Sequence, residues 1–228
     1  MCMKNIFYAW CFVVLGLFGC GSDQNKQDEK DNKAAGSQPA ARAKQQMKTI
    51  LFFGNSLTAG YGLDPSEAFP ALIQQKIDSL GLPYKVVNAG NSGETSSGGR
   101  NRIDWLLRQQ VDVFVLELGA NDGLRGIPVK ETQRNLQAII DRVKAKYPEA
   151  EMVLLGMEIP PNMGGQYAAE FRQIFRQLAT KNDMAFVPFL LEGVGGMRAL
   201  NLPDGIHPTA AGHQILARNV WEVLEGVL

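Results

Sequence analysis

From residue 49 to the C-terminus, short runs of consecutive apolar residues alternate with longer segments in which apolar residues recur at every third or fourth position. A short continuous run is typical of a strand that is buried on both faces, whereas the longer period is typical of an amphipathic helix. The pattern therefore predicts a chain in which strands and helices alternate. The predicted strands are Thr49–Phe53, Tyr84–Asn88, Val111–Leu118, Met152–Met157 and Ala185–Phe189.

Amphipathic helices are predicted between these strands and after the last one. The first has the clearest start, because Asp64 is a good capping residue, Pro65 suits the first helical position, and Glu67 stands three residues after the cap. One further helix is predicted over Tyr167–Lys181. The apolar stripes of the other helices are Phe69, Leu72, Ile73, Ile77 and Leu80, then Ile103, Leu106 and Leu107, then Leu136, Ile139, Ile140 and Val143, and finally Leu216, Val220, Val223, Leu224 and Val227.

Alternation of strands and helices at this spacing predicts an α/β fold. Each strand–helix–strand unit is expected to be right-handed, which gives a parallel sheet covered by helices on both faces, that is, three α/β/α layers. Five strands suggest the flavodoxin-like order 2-1-3-4-5, in which the loops after strands 1 and 3 flank the switch point where ligands bind. The chemistry is therefore expected just after Phe53 and just after Leu118.

The first fifty residues follow a different pattern. Ile6–Gly19 is an apolar run of 14 residues, which is too short to span a bilayer but suits a secretory signal. It ends in Leu17-Phe18-Gly19-Cys20, which resembles the bacterial lipobox, although Phe18 is bulkier than usual there. An ordinary signal peptide cut elsewhere and a buried core helix are the alternatives.

The resemblance to a lipobox implies three regions: a signal peptide at 1–19, a lipidated Cys20 with a tether at 20–47, and a folded domain at 48–228. The polar tether is expected to behave as a coil with a reach of about 30 Å. The expected location is the bacterial cell envelope, where the lipid anchors the protein to a membrane. Gly21 after the cysteine favours the outer membrane by analogy with other lipoproteins.

Composition and charge exclude several classes of function. Lys and Arg together number 23, as do Asp and Glu, so the chain lacks the basic excess of a nucleic-acid-binding protein. All three cysteines lie in the first 20 residues and the chain has only two histidines, so no metal site is expected. The loop after the first strand lacks the lysine of a phosphate-binding loop, and no cofactor is expected.

The loops at the predicted strand ends hold residues suited to nucleophilic catalysis. Ser56 follows the first strand, where its hydroxyl reaches the open edge of the sheet. His207 can take its proton, and Asp204, three residues earlier across a glycine, can hold the imidazole in the right tautomer. The backbone N–H groups of Ser56 and Gly93, with the Asn121 amide, can face a developing oxyanion. His213 shares a helical stripe with apolar residues and is expected to pack rather than react.

These blocks resemble the SGNH, or GDSL-type, hydrolases, and are most similar to the bacterial thioesterase I/lysophospholipase L1/arylesterase group. The resemblance covers nearly the whole domain and implies that Ser56 is the nucleophile, that His207 and Asp204 complete a triad, and that Ser56, Gly93 and Asn121 form the oxyanion hole. The matching strings are Gly54-Asn55-Ser56-Leu57, Val87-Asn88-Ala89, Ser92-Gly93-Glu94-Thr95-Ser96, Glu117-Leu118-Gly119-Ala120-Asn121-Asp122-Gly123-Leu124-Arg125-Gly126 and Asp204-Gly205-Ile206-His207.

One position departs from the family pattern, since Asn55 stands where the motif usually has Asp. Asn keeps the shape of the side chain but removes a negative charge beside the nucleophile, so it alters the ionisation of the His207 system in a direction that the sequence leaves open. Other interpretations of single residues also remain: Ser56 as a helix cap, Asn121 as a turn residue, and Asp122 and Glu117 as supporting residues.

The predicted activity is hydrolysis of carboxylic esters or thioesters through an acyl-enzyme on Ser56. A carbohydrate O-acetylesterase is the alternative within the same site, because a small acetyl group needs the same chemistry. A lipoprotein that only binds glycans or lipids is a third hypothesis, against which the complete set of Ser56, Asp204 and His207 argues. The expected partners are a small ester or thioester substrate and a membrane reached through the lipid anchor.

Overall fold

A computed structural model describes residues 46–228, so the predicted signal peptide, Cys20 and nearly all of the tether lie outside the described residues. Within this range the strands form one parallel sheet in the order β2-β1-β3-β4-β5, which confirms the predicted fold and strand order. The strands are β1 Lys48–Gly54, β2 Tyr84–Gly90, β3 Val113–Glu117, β4 Glu151–Leu155 and β5 Ala185–Val187.

Helices cover both faces of the sheet. Consecutive strand residues point to opposite faces: Phe52 packs edge-on against Phe69, while the ring of Phe53 lies beside Gly99. On the first face α2 packs with α7, and on the second α3 packs with α5 and α5 with α6. The helices are α1 Ser56–Ala59, α2 Phe69–Ser79, α3 Ser96–Leu106, α4 Ala120–Leu124, α5 Val129–Lys146, α6 Gly165–Asn182 and α7 Ala210–Leu224, with short 3₁₀ turns at Pro65–Glu67, Pro161–Met163, Arg198–Leu200 and Glu225–Val227.

The prediction that Asp64 caps the first long helix is wrong. Asp64 and Glu67 do form a reciprocal capping box, but the helix they cap is the 3₁₀ turn Pro65–Glu67. Ala68 is then extended, with φ −63° and ψ 141°, and α2 begins at Phe69. A continuous helix would need the N–H of Pro70 to donate to the carbonyl of Ser66, and proline has no N–H.

The register of the sheet brings the predicted loops together. Gly54, at the end of β1, lies opposite Gly90 of β2 and Glu117 of β3. Because the three strands are parallel and end at the same level, the segments that follow them emerge side by side at one edge. Between residues 46 and 228, no helix is both long and apolar enough to cross a membrane.

Candidate active site

Ser56 is held at the first position of the single-turn helix α1. Asn55 is the cap of that helix, since its side-chain Oδ1 accepts a hydrogen bond of 2.9 Å from the N–H of Leu57. The interpretation of Ser56 as a mere helix cap is therefore wrong. Its hydroxyl is left available for another partner, although the residue is only 8% exposed.

That partner is His207, which the fold brings to Ser56 from 151 positions along the chain. His207 Nε2 lies 3.0 Å from Ser56 Oγ, and His207 Nδ1 lies 2.7 Å from Asp204 Oδ2. Donation from Nδ1–H to the carboxylate leaves Nε2 unprotonated and able to accept the serine proton. The ring of Tyr61 lies beside the imidazole, with 4.5 Å between ring centroids.

The turn that contains Asp204 keeps its side chain ionised. Its Oδ1 accepts from the backbone N–H groups of Ile206 and His207, both at 3.0 Å. The hydrogen bond from the His207 side chain, followed by those two backbone bonds, lowers the pKa of Asp204 to about 2. The carboxylate thus stays ionised at neutral pH, as an orienting acid requires.

The predicted oxyanion donors face the same place. Asn121, in the first turn of α4, donates from Nδ2 to the carbonyl of Glu94 at 3.0 Å, and a carboxamide has a second N–H that remains free to point into the pocket. Gly93 has φ +79°, a conformation that favours glycine. Ser56 N–H is in the first helical turn, where the backbone has no intrahelical acceptor.

An ion pair that sequence reasoning missed supports the Gly93 loop. Arg102 of α3 pairs with the buried carboxylate of Glu94 at 2.6 Å and donates to the carbonyls of Ala89, at 2.7 Å, and Gly54, at 3.3 Å. Its guanidinium also stacks 4.3 Å from the centroid of Phe53. One side chain thereby ties α3 to the ends of β1 and β2. Glu94 and Arg102 are eight residues apart, a spacing that gives no signal in the sequence.

The two acidic residues beside Asn121 and the nucleophile are buried supports, as predicted. Asp122 accepts hydrogen bonds from the N–H and hydroxyl of Ser96 and from Thr132 Oγ1, which link α3, α4 and α5. Glu117 lies beneath Ser56 and accepts from Asn55 and Thr58. Burial raises the pKa of Glu117 to about 7, against the lowering effect of those hydrogen bonds.

His213 is separate from this site. It is buried in α7, where its Nδ1 accepts a hydrogen bond of 3.0 Å from the N–H of Phe69 at the start of α2. Its ring stacks with Phe69 at a centroid distance of 6.1 Å. Burial, followed by repulsion from His207, lowers the pKa of His213 to about 4. His213 therefore joins two helices rather than reaching the serine.

Ser56, Gly93, Asn121 and His207 all open into one pocket with a volume of about 590 Å³. At its rim, Tyr61, Leu124 and Ile206 keep 50%, 39% and 45% of their surface exposed, so the entrance is apolar. The lining residues are Asn55, Ser56, Leu57, Tyr61, Ser92, Gly93, Ala120, Asn121, Leu124, Glu158, Ile159, Pro160, Phe189, Leu191, Gly195, Gly196, Asn201, Gly205, Ile206 and His207.

No group of three or more His, Cys, Asp or Glu side chains in the described part of the chain is placed to hold a metal ion. A serine that contacts a histidine, which in turn contacts an aspartate, at the carboxyl edge of a parallel sheet is the arrangement of an α/β serine hydrolase.

The model of the GDSL-like lipase/acylhydrolase family matches residues 52–215, and the chain belongs to this family. The esterase TesA of Pseudomonas aeruginosa is 41% identical over 182 residues, which cover 79% of this chain and 90% of that protein. Thioesterase 1/protease 1/lysophospholipase L1 of Escherichia coli is 39% identical over 170 residues, 74% of this chain and 79% of that one.

A solved structure of an esterase is also similar to this chain. The psychrotrophic esterase EstA from Pseudoalteromonas sp., in a form inhibited by monoethylphosphonate, matches with a TM-score of 0.74 and 34% identity, covering 78% of this chain and 97% of that one. The resemblance stated from the sequence is confirmed.

Proposed function

We propose that this protein hydrolyses carboxylic esters or thioesters through an acyl-enzyme on Ser56. His207 Nε2 accepts the Ser56 proton as Oγ attacks the substrate carbonyl, and Asp204 stabilises the imidazolium that forms. The bond to the leaving oxygen or sulfur then breaks, and His207 returns the proton to it. In the second half, His207 activates a water that releases the acid and regenerates Ser56.

Three hydrogen-bond donors are assigned to the oxyanion hole. Ser56 N–H, Gly93 N–H and Asn121 Nδ2–H stabilise the tetrahedral intermediate, whose oxygen carries a negative charge that the bound ester lacks. The single observation that carries the proposal is a series of two contacts at the mouth of an apolar pocket. Ser56 Oγ lies 3.0 Å from His207 Nε2, and His207 Nδ1 lies 2.7 Å from Asp204 Oδ2. The related esterase EstA is inhibited by a phosphonate, a compound class that mimics this intermediate.

Covalent labelling and a substrate panel test the proposal. An activated fluorophosphonate is expected to modify the wild type at Ser56 and to leave Ser56→Ala unmodified. Hydrolysis is then measured on aryl esters of increasing chain length, acyl-CoAs, lysophospholipids and acetylated sugars. An apolar pocket predicts faster turnover of longer acyl chains than of sugar acetates. The opposite order would make the protein an O-acetylesterase, and the absence of both labelling and turnover would leave it a binding protein.

We also propose that the protein is a lipoprotein of the bacterial outer membrane, anchored through Cys20. The support is the sequence alone, namely the apolar run, the lipobox-like Leu17-Phe18-Gly19-Cys20 and the polar segment that follows. An anchored hydrolase of this kind would meet ester substrates at or near a lipid surface.

A further inference from the structure

The ring of Tyr61 lies against one face of the His207 imidazole. The two ring centroids are 4.5 Å apart and the ring planes are inclined by 37°. Both nitrogens of the imidazole already have partners at its edge, because Nε2 lies 3.0 Å from Ser56 Oγ and Nδ1 lies 2.7 Å from Asp204 Oδ2. Tyr61 therefore adds a third kind of contact, made to the face of the ring that the two hydrogen bonds leave free.

The backbone around Tyr61 is attached to both segments that supply the serine and the histidine. The N–H of Tyr61 donates to the carbonyl of Ser56 at 3.0 Å. On the other side, Gly62 has φ +79°, and a Cβ placed on it would lie 2.7 Å from Leu202 Cδ1, so glycine lets the two segments approach closely. The N–H of Leu202 in turn donates to the carbonyl of His207 at 2.7 Å. The stacked position of Tyr61 is thus held by the fold, although half of the residue's surface is exposed.

An aromatic ring attracts a cation on its face more strongly than a neutral group, because the face carries partial negative charge. His207 is neutral while the ester is bound and becomes an imidazolium as it takes the Ser56 proton. Its side chain is only 18% exposed, so water screens the new charge incompletely. The contact with Tyr61 is therefore stronger in the transition state than in the bound state, which is the condition for an interaction to raise kcat.

We propose that Tyr61 is a positioning residue that acts through His207, with its ring face stabilising the imidazolium in each half of the reaction. The proposal rests on the function proposed above and adds a residue to it. Asp204 then stabilises the cation from the ring edge, and Tyr61 stabilises it from the ring face. The same contact also restricts rotation of the imidazole away from Ser56.

Substitutions at position 61 separate the charge of the ring face from its shape. Tyr61→Phe keeps the aromatic face, whereas Tyr61→Leu keeps an apolar side chain without it. Phenylalanines that carry one, two and three ring fluorines, introduced at position 61 by suppression of a stop codon, keep the shape of the ring. Each fluorine withdraws electron density from the ring face and weakens its attraction for a cation.

The experiment measures kcat and KM on an aryl acetate, whose small acyl group limits contact with the pocket wall, on the plateau of each variant's pH profile. Tyr61→Phe is expected to keep kcat within about twofold of wild type. Tyr61→Leu is expected to lose about fivefold in kcat, the size of a cation–π contact at a partly exposed site, with KM within about twofold. The fluorinated series should fall stepwise from the Phe value toward the Leu value, and the rate of fluorophosphonate labelling of Ser56 should follow the same order.

Trp105→Leu is the matched control, because Trp105 is another exposed aromatic residue, 63% accessible on α3, that does not line the pocket. Its kcat and KM should equal those of the wild type.

Three outcomes would overturn the proposal: a Tyr61→Leu variant that keeps wild-type kcat, a fluorinated series with constant kcat, or a series in which only KM changes. If Tyr61→Leu fails to fold, the fluorinated series decides, since it preserves the shape of the ring. Failure of the proposed function looks different, because the wild type itself would then neither turn over esters nor label at Ser56.

Discussion

At the level of single residues, a variant of Asn121 distinguishes stabilisation of the transition state from the nucleophilicity of Ser56. Its free N–H would bind an oxygen that is neutral in the bound ester and negative in the intermediate, so its loss should lower kcat far more than it raises KM. Removing one such donor costs about 10²–10³ in kcat. We expect this loss in Asn121→Ala, measured by steady-state kinetics on an aryl ester.

Two comparisons complete that test. Asn121→Ala should still be labelled slowly at Ser56 by a fluorophosphonate, whereas Ser56→Ala should not be labelled. Asn121→Asp should be slower than the Ala variant, because it places a carboxylate where negative charge develops. An unchanged kcat with only a raised KM would show that Asn121 positions substrate or shapes the turn instead.

At the level of elements, the Arg102–Glu94 ion pair holds the Gly93 loop against α3. Arg102→Met leaves the Glu94 carboxylate, only 4% exposed, without its cation. Breaking a buried pair in this way costs about 3 kcal/mol, so we expect the free energy of unfolding in urea to fall by about that amount and kcat to fall with it. The double variant R102M/E94Q should recover most of the stability. Equal stability of Arg102→Met and the wild type would show that the ion pair does not hold the Gly93 loop in place.

The contact between α7 and α2 has its own pH dependence, through His213. Its folded pKa of about 4 lies below the ordinary value of 6.5, so the neutral form is favoured in the fold. The contribution of His213 to stability is therefore complete above pH 6.5 and is lost as pH falls toward 4, by on the order of 3 kcal/mol. Protonation of Nδ1 also removes the acceptor for Phe69 N–H.

The variant His213→Asn isolates this effect, since its side-chain oxygen can accept from Phe69 N–H but does not titrate. Glu117 acts in the opposite direction, because its raised pKa of about 7 makes the fold lose stability as pH rises from 4.5. The informative quantity is therefore the difference in free energy of unfolding between the wild type and the variant. As pH falls from 7.5 to 4.5, the variant should become more stable relative to the wild type. A difference that does not change with pH would contradict the assignment.

At the scale of the whole molecule, the site and the point where the proposed tether would join the domain lie at opposite ends of β1. Lys48 is at the amino end of the strand and Ser56 follows its carboxyl end, a separation of about 20 Å along seven residues. The proposed tether, which would end at residue 47, would therefore join the domain at the edge of the sheet away from Ser56. Activity on soluble esters should not depend on it.

The corresponding prediction concerns Cys20. In a bacterial host, Cys20→Ala should release the full chain from the membrane fraction, while kcat on a soluble aryl ester stays the same. A matched Cys11→Ala variant should remain in the membrane fraction. A wild-type protein recovered in soluble form would contradict the lipoprotein proposal, and a released variant with altered kcat would contradict the independence of tether and site.

Much of the site was predictable because its parts have local signatures. Asp204 and His207 are three residues apart and share a turn, and Ser56 and Asn121 each follow an apolar strand. The short 3₁₀ turn at Pro65–Glu67 was missed because the capping box looks the same before a 3₁₀ turn and before an α-helix. The role of Asn55 as the cap was missed because Asn and Ser are both good capping residues and stand side by side.

The sequence by itself determined the alternation of elements and the edge of the sheet at which the site lies, since apolar periodicity and the handedness of βαβ units are properties of the chain. The number of strands suggested the strand order, which the structure established. Only the tertiary structure decided which buried polar groups meet. Glu117 beneath Asn55 and Arg102 against Glu94 depend on strands in register and a helix packed across their ends. A hydrogen bond between groups 62 residues apart, as in the first pair, leaves no periodic trace in the sequence. It forms because the fold removes the Glu117 carboxylate from water and places the donors of Asn55 and Thr58 beside it.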